Sequence, residues 1–184
     1  GYHRLLAHQK LNQEHIPCIV RNGDKRMSDL IQVDENLMVN SLSALEFGIH
    51  ILEREKLMDD MGLLYKRGDN RYTSGGSKLT IQDLARSIGL NEKQYKRRKQ
   101  IASNLCEEAI SILKETEYAN DLINLVTLSN EKDSIQINVA NRLVSGSTSG
   151  WKTAMFEAKL EDYNLKTTPN LDYRVKDRFG LPQS

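Results

Sequence analysis

Apolar residues recur at helical spacing through most of the chain, and this pattern predicts a mainly α-helical protein. Leu45, Ile49 and Leu52 are three or four positions apart, as one face of an amphipathic helix requires. The sequence Ser43-Ala44-Leu45-Glu46 is typical of a capping box that begins this helix, and Gly62 suits its end. The same periodicity predicts further helices over 3–11, 27–40, 107–128, 134–144 and 151–162.

The front of the chain departs from this pattern. The apolar run Ile16–Val20, which includes Pro17, predicts a short strand, and Cys18 within it is expected to be a buried thiol. We therefore expect residues 1–40 to form a partial α/β segment. A helical domain over 41–162 and an extended tail over 163–184 complete the expected organisation.

Residues 80–104 (TIQDLARSIGLNEKQYKRRKQIASN) predict a helix-turn-helix. Thr80 and Asp83 have the spacing of a capping box for the first helix. Gly89 follows where a tight turn favours positive φ, and Asn91 can cap the second helix. Two short helices joined in this way are typical of proteins that place the second helix in the DNA major groove.

The second helix of this motif is strongly basic. Tyr95 and Ile101 are its expected core anchors, while Arg98 occupies a position where such motifs usually have an apolar residue. Base edges or nearby phosphates are the predicted contacts of Lys93, Gln94, Lys96 and Arg97. Contacts to the DNA backbone are predicted for Arg98, Lys99, Arg71 and Lys78. The predicted DNA-binding set also includes the cap residues Thr80 and Asn91.

Charge distribution supports a DNA partner although the whole chain carries a formal charge of only +1. Residues 63–105 contain ten Lys or Arg and three acids, a net +7, so the rest of the chain carries −6. A basic segment on an acidic body is the electrostatic footprint of a DNA-binding unit. Cys18 and Cys106 form no metal-binding pattern, and no apolar run approaches bilayer length. We expect a cytoplasmic protein that associates with DNA.

The order of motifs resembles the ParB family of chromosome and plasmid partition proteins, over residues 1–162. Gly1-x-x-Arg4 lies on a predicted helix, Ile16-Pro17 precedes the predicted strand, and Glu35-Asn36-Leu37 precedes a capped helix and the helix-turn-helix. The resemblance implies a ParB/sulfiredoxin-like front segment and a homodimer that binds double-stranded DNA sequence-specifically. It also implies a ParA-type ATPase as partner and association with the nucleoid or a plasmid.

The same resemblance implies binding of CTP with magnesium. Gly1, His3 and Arg4 would lie by the nucleotide phosphates, and Glu35 and Asn36 would lie by the metal ion. No catalytic residue is assigned, although the family resemblance allows CTP hydrolysis. Because the chain opens at Gly1 rather than at Met, we expect a fragment, a processed product or a trimmed form.

Two alternatives stay open from the sequence. Met38-Val39 stands where the family usually has Gln-Arg, which favours a transcriptional regulator or mobile-element accessory protein without nucleotide switching. The other alternative is an enzyme, either a nuclease or a phosphate-transferring relative of sulfiredoxins. Tyr2 occupies the position of the sulfiredoxin Cys, and a phenol cannot perform that thiolate chemistry.

Overall fold

The structure, a computed structural model, describes residues 2–20, 23–38, 41–66 and 78–167. These residues are mainly helical, which confirms the predicted fold class at that level. Nine α-helices and one 3₁₀ helix (Glu117–Asn120) are formed within them. The α-helices are α1 (Tyr2–Lys10), α2 (Lys25–Leu37), α3 (Ala44–Asp60), α4 (Ile81–Ser87), α5 (Glu92–Asn104), α6 (Glu107–Leu113), α7 (Leu122–Leu128), α8 (Asp133–Val144) and α9 (Trp151–Thr167).

The strand predicted at Ile16–Val20 is wrong, as is the burial predicted for Cys18. Ile19 and Val20 are 83% and 84% exposed, and the Cys18 thiol is also exposed. A strand needs hydrogen bonds to a neighbouring strand. No strand is formed among the residues that the structure describes. The extended pairing seen there is a single parallel bridge between Leu64 and Leu79.

Helix ends follow local sequence signals closely. Ser43 begins α3 with the predicted capping box, in which its hydroxyl accepts from the Glu46 N–H and the Glu46 carboxylate accepts from the Ser43 N–H. Gly62, with φ +69°, ends the helix in the left-handed conformation that glycine adopts without strain. α9 extends five residues beyond its predicted end at Asp162, so residues 163–167 are helical and not extended, and the rest of the predicted tail lies outside the described residues.

Two clusters of buried apolar side chains hold the helices together. The front cluster joins α2, α3, α4 and α5, and the rear cluster joins α3 and α5 to α6–α9 and the 3₁₀ helix. The front cluster contains Leu30, Val33, Leu37, Ile51, Met58, Leu84, Ala85 and Tyr95. The rear cluster contains Leu45, Ile101, Leu105, Ala109, Leu113, Ala119, Leu125, Leu128, Ile135, Val139, Ala140, Leu143, Ala154 and Ala158.

α3 and α5 lie side by side and contribute to both clusters, so they form the central pair of the fold. They approach each other closely at Gly48, where a Cβ atom would come within 3.0 Å of the Arg98 carbonyl oxygen. Glycine is required there because the α5 backbone occupies the space that any side chain would need.

Among the residues that the structure describes, no helix is long and apolar enough to cross a membrane.

Candidate nucleic-acid interface

α4 and α5 are joined by a short turn whose local chemistry matches the predicted pattern. Thr80 caps α4, with its N–H and hydroxyl donating to the Asp83 carboxylate at 2.9 and 2.6 Å. Asn91 caps α5, and its side chain accepts from the Gln94 N–H at 2.9 Å. Gly89 between the helices has φ +73°. Side chains therefore specify where each of the two helices begins, and Gly89 allows the tight turn between them.

Buried residues fix the rotation of α5 about its own axis. Tyr95 and Ile101 are fully buried, as predicted, and Leu84 and Ala85 of α4 pack in the front cluster with Tyr95. The Tyr95 hydroxyl donates to Glu55 Oε1 of α3 at 2.9 Å. Burial, together with the Glu55 charge, raises the pKa of Tyr95, so the phenol remains a donor at physiological pH.

The opposite face of α5 is basic and open. Its side chains line a shallow concavity of about 380 Å³ formed by Glu92, Lys93, Lys96, Arg97 and Gln100. Lys93 and Arg97 are exposed, and neither makes an ion pair with any residue in the described ranges. These two cations are therefore available to a partner. Gln100 is engaged, because its amide donates to Ser129 and Asn130 at 3.1 and 3.0 Å.

Lys96 lies on this open face but is held by an acid. Its ammonium group pairs with Glu92 one helical turn earlier, and the other Glu92 oxygen accepts from the Gln82 amide of α4 at 3.2 Å. The bond from Lys96 lowers the pKa of Glu92, which keeps that carboxylate charged. The (i, i+4) spacing of Glu92 and Lys96 could have revealed this pair in the sequence.

Arg98 and Lys99 lie on the side of α5 that faces α3. The Arg98 guanidinium is 5.3 Å from the centre of the Phe47 ring, and burial lowers its pKa. Lys99 pairs with Glu55, whose side chain is only 12% exposed and also accepts from Tyr95. No sequence pattern indicated Glu55 as a partner, because it is 44 residues away from Lys99. The structure thus separates these two cations from Lys93 and Arg97.

The remaining predicted DNA contacts are distributed around α4 and α5. The Thr80 side chain and the Asn91 side-chain oxygen act in helix caps, as does the Gln94 side-chain oxygen, which accepts from the Asn91 N–H at 3.1 Å. Lys78 is half-buried beside the Leu64–Leu79 bridge. Arg71 is one of residues 67–77, which lie outside the described residues.

The residues predicted to bind a nucleotide and a metal lie on α1 and α2, apart from Gly1. His3 and Arg4 are exposed on α1. This helix buries none of its residues, and it has no extensive contact with another helix in the described ranges. Glu35 is exposed and Asn36 half-buried on α2. Gly1 and Val39 lie outside the described residues. Nowhere in the described ranges do three or more His, Cys, Asp or Glu group together to hold a metal ion. The CTP–magnesium site stays a prediction from the sequence resemblance.

No family model, curated protein or solved structure matches this chain. The features that indicate a function are therefore the geometry and charge of α4, α5 and the turn between them.

Proposed function

We propose that this chain is a sequence-specific double-stranded DNA-binding protein of the ParB type, with α4 and α5 acting as its helix-turn-helix. The observation that carries the proposal is the open face of α5, where Lys93 and Arg97 are exposed and unpaired in the described structure while Tyr95 and Ile101 are fully buried. One helix thus has a fixed apolar side and a free basic side.

The dimensions and chemistry of α5 suit the major groove, which accommodates an α-helix. Its first two turns carry the exposed cations, and the first turns of recognition helices make the base contacts. Arg97 can bind the O6 and N7 atoms of guanine with two hydrogen bonds, and Lys93 can reach a base edge or a phosphate. Because Arg98 and Lys99 face α3, we assign them to positioning α5 rather than to DNA contact.

The proposed biological role is plasmid or chromosome partition, through a homodimer that binds a palindromic site and recruits a ParA-type ATPase. Its support is the sequence resemblance, in which the helix-turn-helix follows a capped helix and the Gly-x-x-Arg and Glu-Asn segments. The front of the chain would then correspond to the end of a ParB/sulfiredoxin-like domain.

A second candidate is a ParB-like transcriptional regulator or mobile-element accessory protein that does not switch on nucleotide. The exposure of α1 favours it, since His3 and Arg4 project from a helix with no buried residue. Both candidates require the same DNA-binding surface. They differ in whether CTP with magnesium changes binding, and in whether the sites are clustered or lie beside single promoters.

The test is a selection from random duplexes with the purified chain, with and without CTP and magnesium, followed by affinity measurements on the enriched site. If Arg97 reads a base, Arg97→Ala should weaken binding to that site by about 1–3 kcal/mol and relax specificity at one position. Lys152→Ala is a matched control, because Lys152 is an exposed cation on α9.

Each result has a definite meaning for the proposal. An enriched site, lost with Arg97→Ala and kept with Lys152→Ala, supports it. Equal weakening by the two variants would mean that only overall charge matters, and no enriched site would remove the claim of sequence specificity. An effect of CTP would favour the partition role over the regulator.

A further inference from the structure

An acidic residue stands on the surface where DNA is proposed to bind. Glu92 is the first residue of α5 and lines the same concavity as Lys93, Lys96 and Arg97. Its carboxylate binds Lys96 within α5 and Gln82 of α4. Among the five residues lining this concavity it is the one acid, so its charge opposes that of its neighbours toward an incoming phosphate.

We propose that Glu92 is a specificity-determining residue of the DNA-binding surface, which holds Lys96 away from phosphates on non-cognate DNA and accepts a hydrogen bond from a cytosine amino group on the cognate site. This inference rests on the proposed function of α4 and α5. It assigns opposite effects to one carboxylate, depending on the sequence of the duplex.

The first effect is electrostatic. To reach a phosphate, Lys96 must either share its charge with Glu92 or give up this pair, and in both cases the carboxylate faces the negatively charged DNA. Non-specific affinity depends almost entirely on the number of phosphates that cations neutralise. A Glu92–Lys96 pair therefore lowers affinity for any duplex that offers nothing to the carboxylate.

The second effect is chemical. A carboxylate only accepts hydrogen bonds, so in the major groove it is satisfied by an amino group and repelled by the oxygen acceptors of guanine and thymine. Cytosine N4 is the amino group that Glu and Asp typically contact. At the start of α5, held by Gln82 from one side, Glu92 is positioned to contact a base edge. A cytosine there would satisfy the carboxylate and release Lys96 to a neighbouring phosphate.

The test is to measure binding of the full chain and its Glu92→Gln variant to the selected site and to a random-sequence duplex of the same length, across a range of salt concentrations. Glu92→Gln should tighten binding to the random duplex by about threefold to tenfold, and steepen the log affinity–log salt slope by up to about 0.9, the value of one extra phosphate contact. Affinity for the selected site should rise less or fall, so the specificity ratio decreases.

Two further variants separate this role from a general charge effect. Glu107→Gln removes the same charge from an exposed position in the first turn of α6 and should change affinity less than twofold. Adding Lys96→Ala to Glu92→Gln should remove the gain on random DNA. A repeated selection with Glu92→Gln should lose the preference for cytosine at one position of the site.

The outcomes are distinct. If Arg97→Ala weakens binding but Glu92→Gln behaves like Glu107→Gln and selects the same site, the role of Glu92 is overturned and the DNA-binding proposal stands. If no duplex is bound by the chain or by either Glu→Gln variant, the proposed function itself fails and this inference fails with it.

Discussion

The Gln136 side chain joins three backbone groups at helix ends. Gln136 is 1% exposed, and its oxygen accepts from the Cys106 N–H at 2.8 Å, at the start of α6. Its amide donates to the carbonyls of Asn104 and Glu131 at 3.0 and 2.9 Å. A buried amide that bonds to all three groups stabilises the junction of α5, α6 and α8, and the amide itself would be desolvated without these hydrogen bonds.

We predict that Gln136→Leu lowers the free energy of unfolding by about 2–4 kcal/mol, since it keeps the side-chain volume but removes these hydrogen bonds. Urea denaturation followed by circular dichroism would measure the change. Gln32→Leu on the exposed side of α2 is the matched control and should change stability by no more than about 0.5 kcal/mol. Equal losses in the two variants would contradict this role for Gln136.

At the scale of single elements, the crossing of α3 and α5 decides how the basic helix is presented. Gly48 lies against the Arg98 carbonyl, and Glu55 further along α3 binds both Tyr95 and Lys99. Close contact at one point and a polar cluster at the other prevent α5 from rotating or sliding along α3. The orientation of Lys93 and Arg97 toward solvent follows from these contacts.

Gly48→Ala should destabilise the protein by about 1–3 kcal/mol, because its Cβ would force α3 and α5 apart. The direction is informative, since Gly→Ala inside a helix otherwise stabilises by about 1 kcal/mol. Thermal unfolding would measure the effect, with Ser103→Ala at an exposed position of α5 as a control for helix propensity alone. A rise in melting temperature for Gly48→Ala would show that the two helices separate without cost.

A second prediction at this scale concerns how the stability contributed by the α3 capping box depends on pH. The Ser43 N–H holds the pKa of Glu46 below its ordinary value of 4.5, with further help from the Ser43 hydroxyl. A lowered folded-state pKa contributes stability that is present above pH 4.5 and is lost as the pH falls through the folded-state value.

Glu46→Gln should therefore reduce stability at pH 7 by up to about 1 kcal/mol and reduce it less at low pH, where the wild-type carboxyl is also neutral. Unfolding by urea at pH 7 and at pH 3 would test this. Glu108→Gln, an exposed acid in the first turn of α6, is the control. The prediction would be wrong if the loss for Glu46→Gln were the same at both pH values.

For the whole molecule, the two clusters share α3 and α5 and should unfold together. Trp151 reports on the rear cluster, where it packs edge-on against Tyr118 with ring centroids 5.8 Å apart. Ile51 is fully buried in the front cluster. Since the central pair cannot unfold in one cluster without exposing the other, we expect one cooperative transition.

Ile51→Ala should lower the urea midpoints of Trp151 fluorescence and far-UV circular dichroism by the same amount, corresponding to about 2–5 kcal/mol. Phe156→Ala on the exposed face of α9 should leave both midpoints nearly unchanged. A Trp151 midpoint that stays fixed while the circular dichroism midpoint falls would show that the rear cluster unfolds independently.

Local patterns in the sequence determined much of this protein. The cap residues Ser43, Thr80 and Asn91 specify where three helices begin, because a capping hydrogen bond joins residues only three positions apart. The helical period likewise predicted the burial of Tyr95 and Ile101. Both kinds of signal depend on near neighbours in the chain, so no knowledge of the fold is needed to interpret them.

Tertiary structure alone decided which cations remain available. Lys93, Arg98 and Lys99 belong to one basic run in the sequence, but Phe47 and Glu55, on a helix more than 40 residues earlier, contact Arg98 and Lys99 respectively. The strand predicted at Ile16–Val20 is wrong for a related reason, because a strand exists only if another strand pairs with it. Interactions between distant parts of the chain depend on the packing of α3 against α5, which the order of residues in either helix does not reveal.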